Sequence, residues 1–145
     1  MTTDPINILL AEDNEDDVLM IQEAFDEANL TNIIDVVSDG KQAMRYLRRQ
    51  PPYENARLPG LVLLDINMPR KDGFEVLEEV KGDARLRHLP VIMLTTSHRE
   101  EDVVRSYSRG ACSYVTKPID FKQFQDVVKQ FGLYWTLVAR VPAAS

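Results

Sequence analysis

The chain is poor in the residues that build many simple active sites. It has one cysteine, Cys112, and two histidines, His88 and His98, among 145 residues. A single cysteine excludes a disulfide framework or a cysteine-based zinc site within one chain. Neither histidine lies in a metal-ligand motif. Glycine is also scarce, six in all, and none falls in the turn after the first predicted strand. Positive charge is in the minority: 17 Lys and Arg against 23 Asp and Glu leave a formal net charge of −6. That balance argues against a large nucleic-acid footprint. No apolar run reaches membrane-spanning length. The N-terminus lacks the basic flank and long apolar region of a signal peptide. No binding to nucleic acid or membrane and a cytoplasmic location are the expectations.

What is present is enough apolar residue for one core. A hydrophobic fraction of 44% over 145 residues suits a single compact domain. Its elements alternate. Ile6 to Ala11, INILLA, reads as a first strand, nearly all apolar as a strand covered on both faces should be. An acidic cluster follows, Glu12, Asp13, Asn14, Glu15, Asp16 and Asp17. A helix is predicted from about Asp16 to Ala28, with Val18, Ile21, Phe25 and Ala28 as its stripe. Acidic residues in its first turn suit the positive end of the helix dipole.

Ile33 to Val37 is a β-branched strand. Ser38, Asp39 and Gly40 lead into a helix carrying Ala43, Met44 and Leu47. From Pro51 to Gly60 runs a loop longer than most connections of this kind, read as a surface insertion or a docking feature. Leu61 to Leu64 is the third strand. A helix over about Phe74 to Lys81 turns Phe74, Leu77 and Val80 inward. Val91 to Leu94 is the fourth strand. The next helix spans about Glu100 to Arg109, marked by Val103, Val104 and Tyr107. Ser113 to Val115 is the fifth strand. The final helix starts near Asp120, a plausible cap, with Phe121, Phe124, Val128 and Phe131 as its stripe. Such alternation implies an α/β fold: a mostly parallel sheet with helices on both faces.

The stretch LVLLDINMPRKDG, Leu61 to Gly73, organises the rest. Four apolar residues run into Asp65, and Asn67, Pro69 and Gly73 break the run. Taken alone, Asp65 is a nucleophile, a metal ligand, both, or a cap. Ligand sites in doubly wound sheets lie at the C-terminal ends of the strands. Those ends carry Glu12 and Asp13, Asp65, Thr95 and Lys117. A glycine-free, carboxylate-rich first turn would repel a bare phosphate, whereas cofactor-binding folds use glycine there. It would attract a hard divalent cation such as Mg²⁺. Beside that cation Asp65 can attack phosphorus and form an acyl phosphate. Lys117 and the hydroxyl of Thr95 can then serve the phosphoryl oxygens. Glu12 and Asp13 hold the metal, and Asn67 can lend its backbone carbonyl. Haloacid-dehalogenase-type phosphatases place a second aspartate two residues after the nucleophile. Here that position is Asn67, which cannot transfer a proton, so storage or slow hydrolysis is expected rather than fast turnover.

These residues resemble the receiver domain of bacterial two-component signalling, the CheY-like family. The match consists of Glu12 and Asp13 after strand one, Asp65 after strand three, Thr95 after strand four and Lys117-Pro118 after strand five. Met68-Pro69, Gly73 and Tyr114 also match. The likeness covers about residues 6 to 131, leaving 132–145 as a C-terminal helix extension and tail of a single domain over 1–145. PPYENARLPG, SYSRGACSYVTKP and FKQFQDVVKQFGLYW resemble the stand-alone regulators that pair with bacterial phytochrome histidine kinases. The resemblance implies a five-stranded (βα)5 flavodoxin-like fold with strand order 2-1-3-4-5. It implies a phosphoryl group accepted from a kinase histidine onto Asp65, with Mg²⁺ or Mn²⁺ on Glu12, Asp13, Asp65 and the Asn67 carbonyl. It implies a switch through Thr95 and Tyr114, self-phosphorylation that needs a divalent cation, and autodephosphorylation.

Two alternatives stand beside this: a pseudo-receiver that works without phosphorylation, and a small aspartate-based phosphohydrolase. Only 14 residues follow Phe131, too few for an appended helix-turn-helix, so output through protein contacts is expected. The apolar end, with Tyr134, Trp135 and Val138, is the expected homodimer interface. Cys112 reads as a buried, inert thiol. His98 reads as a modulator of access to the phosphoryl group or a surface residue. Arg45, Arg48 and Arg49 read as a solvated helix face or a patch for an acidic partner.

Overall fold

The structure, a computed structural model of the chain, describes residues 6–27, 32–108 and 112–130. Five strands alternate with five helices: β1 (Ile8–Ala11), α1 (Glu15–Glu27), β2 (Ile34–Val37), α2 (Gly40–Leu47), β3 (Leu61–Asp65), α3 (Gly73–Gly82), β4 (Val91–Thr95), α4 (His98–Ser108), β5 (Ser113–Thr116) and α5 (Phe121–Gln130). The strands form one parallel sheet in the order β2-β1-β3-β4-β5, as the resemblance implied. β1, β3 and β4 are buried along their whole length, which is why each reads as an unbroken apolar run. β2 lies at an edge and exposes Val36.

Because side chains alternate across a strand, the sheet feeds two cores. Leu9, Ala11, Val62, Leu64 and Met93 meet Met44, Leu47, Val76, Leu77, Val80 and Val104 of α2, α3 and α4. On the other face Ile8, Leu10, Leu61, Leu63, Ile92 and Leu94 meet Ile21, Phe25, Phe124 and Val127 of α1 and α5. Phe25 and Phe124 hold those two helices together, ring centroids 5.3 Å apart. Among the described residues no helix is long and apolar enough to cross a membrane.

Three helix stripes differ from the expected ones. In α4, Val104 is buried while Val103 is exposed. In α3, Val76 joins Leu77 and Val80 in the core, and Phe74 is only partly covered. In α5, Val127 is buried beneath the sheet. An Asp72–Glu75 capping box sets the start of α3, one residue ahead of the expected Phe74. Ala28, Phe131, Tyr134, Trp135 and Val138, and the side chains of Tyr107 and Val128, lie outside the described residues.

Candidate functional site

The C-terminal ends of β1, β3, β4 and β5 converge. Each expected residue is carried there by its strand. Asp65 ends β3, in register with Leu94 of β4. Thr95 ends β4 in register with Thr116. One residue beyond β5, Lys117 N donates to Thr95 O at 2.7 Å, so the lysine is still fixed by the ladder. Glu12, one past β1, is likewise held, its N–H donating to Val37 O at 2.9 Å.

The turn after Asp65 folds back on the strand. Gly73 N donates to Ile66 O at 2.8 Å. A Cβ on Gly73 would lie 2.3 Å from Asp65 O, so no side chain fits there without moving the backbone.

Lys117 is the electrostatic centre. Its Nζ lies 2.9 Å from Asp65 Oδ1, 3.0 Å from Glu12 Oε1 and 3.1 Å from Asp17 Oδ2. Three carboxylates thus face one ammonium. Glu12 and Asp65 are buried, and three negative charges against one positive are costly away from water. Burial pushes the Glu12 carboxyl up to about 9, reinforced by its hydrogen bonds to Asp65 and Asp17. Burial works against the Lys117 charge, but the bonds to Asp65 and Glu12 outweigh it and hold its pKa above the usual range. For Asp17 burial is likewise outweighed, by hydrogen bonds to Glu12 and Lys117, and its pKa is lowered. Burial and the neighbouring carboxylates thus favour the protonated form of Glu12 when nothing else balances the site.

A divalent cation is the natural substitute for that proton. Glu12, Asp13 and Asp65 each offer an oxygen, and the three lie within 4.8 Å of one another. Asp13 is exposed, which leaves a path in from solvent. Hard carboxylate oxygens in this number suit Mg²⁺ or Mn²⁺, so the donor set fits the ion.

Thr95 is fully buried, its Oγ1 donating to Val115 O at 3.5 Å, the long limit of a hydrogen bond. Asn67 is exposed, and its Nδ2 donates to Glu100 Oε2 at 3.2 Å. Tyr114 is half-buried in β5. Arg105 Nη1 donates to its hydroxyl at 2.7 Å, and the guanidinium carbon lies 5.7 Å from its ring centroid. The hydroxyl is thus tied to α4.

Two participants escaped the sequence reading. Asp17 had seemed only a helix-dipole acid, yet it is the third carboxylate on Lys117. Glu100 clasps two loops: Oε1 accepts from Thr96 N at 2.8 Å and Thr96 Oγ1 at 3.1 Å, while Oε2 takes Asn67. Its signal was present as Ser97-x-x-Glu100, the spacing of a capping box, with Glu100 N donating to Ser97 Oγ at 3.2 Å. His98 stands exposed at the start of α4, 3.6 Å from Glu101. Cys112 is buried, as expected.

The model of the response regulator receiver domain matches residues 8–129. The chain belongs to the response regulator receiver family. It is a receiver of two-component phosphorelay signalling, the kind of domain that works with a histidine kinase. It is 39% identical over 140 residues to Response regulator Rcp1 of Synechocystis sp., covering 97% of this chain and 95% of that protein. Among solved structures, the bacteriophytochrome response regulator AtBRR is 41% identical with a TM-score of 0.87, over 95% of this chain and 100% of that one. The phosphorylated cyanobacterial phytochrome response regulator RcpA is 41% identical with a TM-score of 0.72, over 96% and 99% of the two chains. The Mn²⁺-bound form of Rcp1 is similar too, 39% identical with a TM-score of 0.71, over 96% of this chain and 100% of that one.

Proposed function

We propose that Asp65 is the phosphoacceptor of this receiver. Glu12, Asp13 and Asp65 hold a Mg²⁺ ion, joined by the backbone carbonyl of Asn67. The observation that carries this reading is the meeting of strand ends on one carboxylate: Lys117 Nζ is 2.9 Å from Asp65 Oδ1, within a three-carboxylate cluster. The Mn²⁺-bound form of Rcp1 supports a divalent cation as a ligand of this chain. When bound, the cation offsets negative charge on the transferring group.

The chain's own groups do the rest. An Asp65 oxygen forms a bond to phosphorus as the phosphorus–nitrogen bond of a kinase phosphohistidine breaks. The electron pair stays on the imidazole nitrogen. Lys117, steadied by Glu12 and Asp17, turns its charge to the phosphoryl oxygens. Thr95 Oγ1 exchanges its long bond to Val115 O for one to the phosphoryl group. Tyr114 then leaves Arg105 and follows it inward, a two-state change biased by the new hydrogen bond. Asn67 offers no proton transfer, so the acyl phosphate persists.

The names of the bacteriophytochrome response regulator AtBRR and the cyanobacterial phytochrome response regulator RcpA support a phytochrome-type histidine kinase, of the bacteriophytochrome kind, as the partner. The apolar tail around Tyr134, Trp135 and Val138 supports a homodimer, for which sedimentation of W135A is the check. The acidic balance supports neither nucleic acid nor membrane as partner, and the chain acts in the cytoplasm.

The test is incubation with acetyl phosphate and Mg²⁺ followed by intact-mass measurement. Wild type gains the mass of one phosphoryl group and D65N gains nothing. Equal gains in both would defeat the assignment, and no gain in wild type would favour a phosphorylation-independent module.

A further inference from the structure

Two features of the sequence play no part in phosphorylation: the long loop over Pro51–Gly60 and the arginines at the end of α2. The fold brings them together. Helices of a βα unit start at the C-terminal ends of the strands and run back. The end of α2, the loop before β3 and the connection before β4 therefore meet at the N-terminal edge of the sheet, opposite Asp65. There they enclose a cleft of about 520 Å³, lined by Leu47, Arg48, Arg49, Gln50, Leu58, Asp83, Arg85 and Leu86. This is the size of a ligand pocket rather than a surface dimple.

The walls are ordered by their own contacts. Tyr53 N donates to Gln50 O at 2.7 Å, Ala56 N to Tyr53 O at 3.0 Å and Gly60 N to Asn7 O at 2.9 Å. The Tyr53 ring packs on Tyr46, centroids 5.5 Å apart. The floor is aliphatic: Leu47 and Leu86 are buried, and Leu58 stands 37% exposed at the mouth. The rim is cationic, with three arginines against one aspartate. Arg48 is neutralised by Glu79 at 3.4 Å and Asp83 at 3.6 Å. Arg49 and Arg85 are exposed, and among the described residues no carboxylate pairs with either guanidinium. In a chain of net charge −6, two unmatched arginines beside an exposed leucine are a local inversion of the overall sign.

We propose that this cleft docks an acidic peptide segment of a partner protein, with an aliphatic side chain between carboxylates. Guanidinium forks match carboxylates in two-point pairs, and the leucine floor takes an aliphatic side chain that a bare anion could not offer. A nucleotide fits less well, since among the described residues no aromatic ring lines the cleft to stack on a base. The chain's own tail is excluded by composition, because residues 131–145 contain no Asp or Glu. Occupancy is independent of the Asp65 chemistry and gives the receiver a second contact surface.

The test uses the full chain and a fluorescein-labelled acetyl-EDLLED-amide peptide, read by anisotropy. Saturable binding to wild type is expected, with at least a tenfold loss of affinity for R49E/R85E. A KKLLKK version should not bind. The variant should still gain the wild-type mass on acetyl phosphate treatment, which separates this result from any failure of the Asp65 assignment. Equal affinity for wild type and variant, or no saturable binding, overturns the proposal. ATP binding that R49E/R85E abolishes, with the peptide inert, overturns it in favour of a small anion. A change in sedimentation of the unliganded variant overturns it in favour of a second copy of this chain.

Discussion

The two ends of the sheet carry opposite electrostatic problems. At the C-terminal end three carboxylates crowd one lysine, and two of them are buried. At the N-terminal end three arginines rim an aliphatic cleft with one aspartate among them. The first end is short of positive charge and is buried, so its deficit shows as a raised Glu12 pKa. The second is open to solvent, so its excess is screened and costs little. The same alternation of strand and helix builds both, because strand-to-helix loops gather at one edge and helix-to-strand loops at the other. Chemistry that needs a low dielectric belongs at the first, and exchangeable docking at the second.

The sharpest way to break this contrast is at Lys117. K117M removes the cation that, among the described residues, faces Glu12, Asp17 and Asp65. Removing one partner of a buried charge pair commonly costs about 3 kcal/mol or more, and that loss is expected in urea unfolding of metal-free protein. Millimolar Mg²⁺ should recover part of it. R85E at the other end should change stability by less than about 0.5 kcal/mol.

Next in size is the backbone packing behind Asp65. Gly73→Ala would place a Cβ 2.3 Å from Asp65 O. Overpacking of this kind costs roughly 2 kcal/mol, measured in the same unfolding assay, with slower acetyl-phosphate labelling. Gly82→Ala is the control. Nothing lies within 4 Å of its would-be Cβ, so its stability should stay within about 0.5 kcal/mol of wild type.

A pH series sharpens the comparison further. Glu12 has a folded-state pKa of about 9 against an ordinary 4.5, so the folded protein binds the extra proton between those values. The associated stability is fully present below the ordinary value and is lost as pH rises through about 9. In metal-free buffer the melting temperature should therefore fall as pH is raised from about 5 to about 9. E12Q should flatten that slope, and so should saturating Mg²⁺ in wild type. A wild-type slope of the opposite sign would mean that Glu12 does not carry the proton.

The smallest expected effect is at Glu100. E100A removes the clasp on Thr96 and Asn67, mostly between exposed groups. A loss of about 0.5–1 kcal/mol is expected, as for a helix cap. The readout that a plain cap would not move is faster labelling of Asp65 by acetyl phosphate, once the anion between the two loops is gone.

Much of this was legible in the sequence, for identifiable reasons. Strands buried on both faces, β1, β3 and β4, announce themselves as apolar runs, and each run leads into a polar residue of the candidate site. Glu12, Asp13, Asp65 and Thr95 could therefore be placed from strand ends, and Lys117 came from the end of the shorter, half-buried β5 with its Lys117-Pro118 pair. Amphipathic stripes were harder. In α4, Val103 and Val104 are adjacent, and periodicity cannot choose which one faces the sheet. Asp17 was hidden because a first-turn acid already has a local explanation, whereas its pairing with Lys117 spans 100 residues of sequence. Of the arginines read on α2 and just after it, Arg48 is paired on the surface and Arg49 lines a cleft. Arg85, from the connection before β4, joins it there without having been singled out, and the other wall is a loop the sequence could only call long.

One detail of the turn after Asp65 bears on how a disturbance at this aspartate would spread. Because α3 begins in contact with the Asp65 carbonyl, the strand is backed by a helix along one direction and has no slack there. Towards α4 the described ties run through side chains: Asn67 Nδ2 to Glu100 Oε2 at 3.2 Å and, from β4 to β5, the stretched Thr95 Oγ1–Val115 O bond at 3.5 Å. The site is mechanically anisotropic, stiff on the α3 side and compliant on the α4 side. Added charge on Asp65 would meet a backstop in one direction and a spring in the other, so displacement runs towards α4 and the Arg105–Tyr114 contact.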